Sequence, residues 1–175
     1  MKILSVNVGL PKPVPYKGRT VSTAIFKEPV AGRIRVRAGG LQGDAVGDPR
    51  VHGAPMKAVY GYPSEHYAFW RRELPAMDLP WGMFGENLTT EGILEADVRV
   101  GDRYQVGTAV LEATNPRFPC FKLGIRFGRE DIEERFLASG RSGFYFRVVR
   151  EGDVAAGDPI ERTTPSRSGP TIAEI

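Results

Sequence analysis

Cysteine is almost missing from this chain: Cys120 is the only one in 175 residues, and histidine occurs twice, at His52 and His66. A single thiol excludes an intrachain disulfide, which suits a reducing cytoplasm, the expected location, and leaves no cysteine set for an iron–sulfur cluster. No apolar run is long enough to span a bilayer, so no membrane association is expected. The opening residues, Met1 to Gly9, are too few and too polar for a secretory signal and read as a first strand. An excess of one charge is also missing. The 24 Lys and Arg against 21 Asp and Glu leave +3. No basic run is interleaved with aromatics, and nucleic acid is not an expected partner. The CxxC, HExxH, Walker A and GxGxxG patterns are absent, so no dithiol, zincin, phosphate-loop or dinucleotide chemistry is indicated.

What the chain does have is turn chemistry. Its 21 Gly and 14 Pro are spread along the sequence rather than pooled, which predicts many short elements joined by defined bends, as in a β-sandwich or barrel. Strand-like runs fall at Ile3–Val8, Val21–Phe26, Ile34–Arg37, Lys57–Tyr62, Asp97–Val100, Arg103–Val106, Ala109–Ala113 and Tyr145–Val149. The pairs Gly101-Asp102 and Gly157-Asp158 each end a short apolar stretch, as expected at tight bends. Two helices are expected. One spans Pro63–Leu74 with Tyr67, Trp70 and Leu74 facing the core; the other spans Arg129–Gly140 with Ile132 and Phe136 inward and Gly140 as cap. Residues 1–162 read as one domain. Residues 163–175, rich in Ser, Thr and Pro, read as a surface tail with Ile172 and Ile175 able to dock.

Three loop-like stretches collect polar residues that a fold alone does not require. Around Cys120, Pro116 and Pro119 stiffen the chain, while Arg117 and Lys122 flank the thiol with positive charge that favours thiolate. Such a thiolate serves as nucleophile, sulfur carrier or soft metal ligand; a free cysteine also serves as a small buried hydrophobe. His52, beside Gly53 and not far from Asp44, is placed either to shuttle protons or to brace its loop against a carboxylate. The stretch from Pro80 to Gly92 offers Asn87, Thr89 and Thr90 as neutral hydrogen-bonding groups, which serve either a ligand or the turn backbone.

Taken in order, these stretches resemble the MOSC domain family, named after the C-terminal domain of molybdenum cofactor sulfurase. The likeness rests on Gly43-Asp44, His52-Gly53, Lys57-Ala58-Val59-Tyr60 with Tyr62, and the helix containing Trp70. It continues through Gly82, Phe84-Gly85-Glu86-Asn87-Leu88-Thr89, Gly101-Asp102, Pro116-Arg117, Pro119-Cys120, Gly143 and Tyr145. The nearest likeness is to the stand-alone bacterial branch linked to 6-hydroxylaminopurine resistance. Two departures stand out: the chain stops soon after the expected domain, and Gly53-Ala54 replaces a Gly-Gly pair.

The resemblance implies a mainly β fold, a closed β-barrel with a few short peripheral α-helices. It implies the molybdenum cofactor, a molybdopterin, with Cys120 as metal ligand and Lys57, Asn87, Thr89, Asn115 and Arg117 holding its phosphate and ring. His52 is the implied proton donor, and no independent pyridoxal phosphate site is expected. The implied activity is reduction of N-hydroxylated bases or related N–O compounds, with electrons from an external electron-transfer protein. The alternative is a non-catalytic carrier of persulfide or of the cofactor. An exposed sheet edge or the C-terminal stub offers a surface for a homodimer.

Overall fold

A computed structural model describes residues 1–45 and 55–175. In chain order the strands are β1 Lys2–Val8, β2 Lys12–Tyr16, β3 Arg19–Thr23, β4 Glu28–Pro29, β5 Ile34–Arg37, β6 Gly40–Leu41 and β7 Val59–Pro63. They continue with β8 Leu88–Glu91, β9 Arg103–Val106, β10 Ala109–Pro116, β11 Phe144–Arg150, β12 Gly152–Val154 and β13 Ile160–Thr164. Among the described residues three α-helices join them: α1 Glu65–Glu73, α2 Phe121–Phe127 and α3 Ile132–Ser139.

The expectation of a closed β-barrel is corrected. Eight strands form one sheet in the order β13-β9-β10-β11-β7-β8-β1-β4, and the others form a separate β12-β5-β6 sheet and the β2-β3 hairpin. The sheet is mixed, because β7 and β8 run parallel. Among the described residues no ladder joins β13 to β4. The β4 end is only two residues long and finishes in Pro29, which has no N–H to donate. A lone bridge between Lys2 and Pro159 is where the β13 end comes back towards β1. The fold is sheet-rich, with open ends.

Period-two alternation explains the layers. In β10, Ala109, Leu111 and Ala113 point into a core with Ile3, Val6, Leu88, Phe144 and Phe146. On the opposite face Glu112 bridges its two cross-strand neighbours, Arg103 at 2.8 Å and Arg147 at 2.7 Å. Strand β7 is buried along its whole length and divides the interior. Val59 enters that first core, whereas Tyr60 and Tyr62 turn to a second, aromatic core with Tyr67, Trp70, Phe84, Phe127 and Phe136. There the Trp70 and Phe136 rings stack at 6.2 Å, and the Trp70 indole donates to the Tyr62 hydroxyl at 2.8 Å, so its buried N–H is satisfied.

Several expected elements are displaced. Residues 97–100 form a turn with one bridge, from Arg99 to Thr171, instead of a strand. Pro63 ends β7 rather than opening α1. Both Gly-Asp bends are present: Gly101 and Gly157 have φ of +92° and +91°. In each, the aspartate accepts the amide three residues back, Arg99 N to Asp102 and Ala155 N to Asp158, both at 2.9 Å. Strand β13 crosses the expected boundary at residue 163. Beyond it Ile172 is buried under a Thr171–Glu174 capping box, while Ile175 is exposed.

Candidate active site: a thiol in a cationic cavity

Six segments converge on a cavity of about 360 Å³. The approach to β4 supplies Ile25 and Lys27, and the turn after β6 supplies Asp44. The entry to β7 gives Lys57 and Tyr60, and the loop before β8 gives Gly85 and Asn87. The exit from β10 gives Arg117, Cys120 and Lys122, and Tyr145 of β11 closes the wall. The pairing of Tyr145 with Tyr60 across β11 and β7 sets their rings 5.0 Å apart.

Cys120 is half-buried and extended, at φ −140° and ψ 165°, immediately before α2. Its carbonyl accepts the Leu123 amide at 2.8 Å, so the backbone that carries the thiol is fixed by the first helical turn. The sequence suggested only a stiff turn here. The helix follows from Leu123 and Phe127, which sit at i and i+4 and are both buried.

The buried Arg117 guanidinium lies 4.8 Å from the Tyr60 ring centroid and donates through Nη1 to the Phe84 carbonyl. Lys57 sets its ammonium 5.8 Å from the Tyr145 ring. Asn87 accepts the Tyr60 amide at 3.0 Å and donates to Asp44 Oδ2 at 2.8 Å. Asp44 Oδ1 takes the Gly9 amide at 2.8 Å and the Lys27 ammonium. Burial lowers the Lys27 pKa below the ordinary lysine range, although Asp44 works against that shift.

Behind this wall stands Glu86, with no exposed surface. Its carboxylate accepts the Tyr67 hydroxyl at 2.5 Å, the Gly82 amide at 2.8 Å, the Phe84 amide at 3.1 Å and the Thr89 hydroxyl at 2.9 Å. Burial raises its pKa, opposed by those hydrogen bonds. Glu86 therefore fixes the loop that presents Gly85 and Asn87 to the cavity.

The structure brings Cys120, Lys57, Asn87 and Arg117 to the one cavity. Thr89 is fully buried behind it, between Glu86 and Asn7. Asn115 donates to the Pro116 carbonyl at 3.0 Å and is not part of the lining. His52 lies outside the described residues. His66 has a structural setting, with Nε2 2.8 Å from the Glu95 carboxylate. Sequence reasoning missed Lys27 and gave Asp44 only a bracing part. The signal for Lys27 was a charge at the end of an apolar run, Ala24-Ile25-Phe26, which on its own reads as the last residue of a strand.

A sheet-rich fold with one thiol in a cation-lined cavity defines a class, and the comparisons place the chain within it. The MOSC domain model matches residues 48–161, and the chain belongs to that family. It is 37% identical to the protein YflK of Bacillus subtilis (strain 168) over 170 residues, covering 97% of this chain and 76% of that one. The crystal structure of YiiM from Geobacillus stearothermophilus superposes with a TM-score of 0.80 at 35% identity, covering 98% of this chain and 80% of that one. A Gibberella moniliformis (strain M3125 / FGSC 7600) protein named Reductase is 38% identical over 157 residues; this chain covers only 28% of its length.

Among the described residues no group of three His, Cys, Asp or Glu side chains could hold a metal ion. The donor set fits a metal that arrives with its own ligands and needs one soft protein donor. Lys27, Lys57, Arg117 and Lys122 against Asp44 leave an excess of positive charge suited to a phosphate monoester. The Tyr60 and Tyr145 rings suit a flat heterocycle. The residues present fit a molybdenum–pterin group.

Proposed function

We propose that the protein is a molybdenum-cofactor-binding oxidoreductase that reduces N-hydroxylated bases or related N–O compounds. One observation carries the reading: among the described residues, the only thiol of the chain shares a cavity with four cations and a single acid. In this reading Cys120 holds the metal, Lys57, Lys122 and Arg117 hold the phosphate and ring, and Asn87 fixes the wall between them. The bound cofactor supplies two-electron redox chemistry, which no side chain here offers. Arg117 keeps its charge at any physiological pH, so the anchor for an anion does not titrate away. Cys120 is half-buried, so a substrate could reach a group held on the thiol. His52 supplies a proton, and the electrons come from an external electron-transfer protein in the cytoplasm.

The second reading is a carrier of persulfide or cofactor, favoured by the partial exposure of Cys120. The discriminating experiment supplies cofactor-loaded protein with a chemical reductant and 6-hydroxylaminopurine, and follows adenine formation. The reductase reading expects turnover in the wild type and none in Cys120→Ala. A loaded wild type without turnover, or a thiol carrying an extra sulfur and no metal, would make the carrier the better account.

A further inference from the structure

Reduction of an N-hydroxylamine consumes two electrons and two protons. The N–O bond breaks, the oxygen leaves as water and the nitrogen keeps a hydrogen: R–NH–OH + 2 e⁻ + 2 H⁺ → R–NH₂ + H₂O. The electrons come from the external electron-transfer protein of the reading above, on which this inference rests. Both protons have to reach the reacting N–O bond, so a proton donor has to face the cavity.

We propose that Lys27 is such a donor, a catalytic residue whose ammonium protonates the leaving oxygen while Asp44 holds it in place. Lys27 lines the cavity and is only 7% exposed. Its ammonium is paired with Asp44, which is itself pinned by the Gly9 amide and by Asn87. Lys57 and Lys122 also line the cavity, but they are half-buried. They suit holding a phosphate better than presenting one proton along a fixed direction. Arg117 is committed to the Phe84 carbonyl and the Tyr60 ring, and a guanidinium does not release its proton. The Tyr60 hydroxyl is turned away, donating to the Ser142 carbonyl at 2.7 Å.

The environment of Lys27 suits a group that gives a proton and regains it. Burial and the nearby Arg117 charge push the ammonium towards release, while Asp44 and Glu86 pull it back. Among the described residues, the other titratable groups lining the cavity are Lys57, Lys122, Cys120, Tyr60 and Tyr145. A donor with its pKa brought down towards the working pH transfers more readily than an ordinary lysine.

The test compares wild type, Lys27→Arg and Lys27→Met, each with its molybdenum content measured. Lys27→Arg keeps the charge and the ion pair but cannot give up its proton. It should hold metal at the wild-type level, keep KM, lose kcat by about 100-fold and lose the alkaline limb of the kcat–pH profile. A Lys27→Arg enzyme with wild-type kcat and pH profile overturns the assignment and leaves the reductase reading intact. A wild type that loads or reduces nothing overturns both. Independently of activity, ¹³Cε NMR of cofactor-free protein should show Lys27 titrating below the ordinary value of 10.5. Titration at or above that value refutes the proposal, including in the case where Lys27→Arg fails to fold.

Discussion

Glu86 makes the sharpest prediction, because one carboxylate holds a whole loop. Glu86→Ala would strand four buried donors at once: the Tyr67 and Thr89 hydroxyls and the Gly82 and Phe84 amides. Each stranded donor costs about 1–3 kcal/mol, and water entering the vacated space recovers part of the sum, so a net loss of about 3–5 kcal/mol is expected. For a chain of this length that lowers the melting temperature by ~6–20 °C. Glu86→Gln is the internal control. Its amide oxygen can replace Oε1 and keep three of the four bonds, while its NH₂ meets the Phe84 N–H. The expected cost is therefore about 1–3 kcal/mol, that of one unsatisfied donor. Urea unfolding followed by tryptophan fluorescence gives both numbers, since Trp70 lies in the adjoining aromatic core. Because the loop carries Gly85 and Asn87 into the cavity wall, Ellman's reagent should also reach the single thiol faster in Glu86→Ala. The reasoning is refuted if Glu86→Ala costs no more than Glu86→Gln, or if it unfolds earlier without any change in thiol reactivity.

Three further outcomes follow from the same geometry. Asp44→Asn leaves the buried Lys27 ammonium without its counter-charge and should cost about 3–5 kcal/mol in urea unfolding. The double variant Asp44→Asn with Lys27→Met should regain most of that loss, and failure to regain it would separate Asp44 from Lys27. Burial opposes ionisation of Glu95, but the His66 ring and the Gly143 amide outweigh it and hold its pKa below the ordinary 4.5. The stability it contributes is present above that value and is lost as pH falls through the lower folded value. The urea midpoint should therefore drop with acid below pH 4.5, and Glu95→Gln should flatten that limb. Gly82 has φ +84°, and a Cβ there would lie 2.6 Å from the Lys27 carbonyl. Gly82→Ala should cost about 1–3 kcal/mol in backbone strain before that clash is counted, read as a lowered melting temperature.

The layers were legible where a face repeats, and less so where closure or long-range pairing decides. Tyr67 and Trp70 on α1, and Ile132 and Phe136 on α3, gave their inward faces from helical spacing alone, and all four are buried. Strand β2 escaped because Pro13 and Pro15 argue against a ladder. It exists because alternate residues of a two-stranded hairpin turn their missing donors to the free edge. Helix α2 escaped because two prolines precede it and Gly124, a poor helix former, sits at its centre. Whether a curved sheet closes depends on strand number and stagger, which no local pattern carries. The barrel expectation failed there. At the site, Cys120, Lys57, Asn87 and Arg117 were named from motifs and meet at one cavity. Lys27 was out of reach, because its meaning comes from Asp44, 17 residues away in sequence.

The central claim is that Cys120 is the residue that holds molybdenum. The most direct measurement is the molybdenum and pterin content of protein purified from cells that make the cofactor, beside Cys120→Ala. The account predicts near-stoichiometric metal in the wild type and its loss in the variant. Equal metal in both, or none in either, would contradict it.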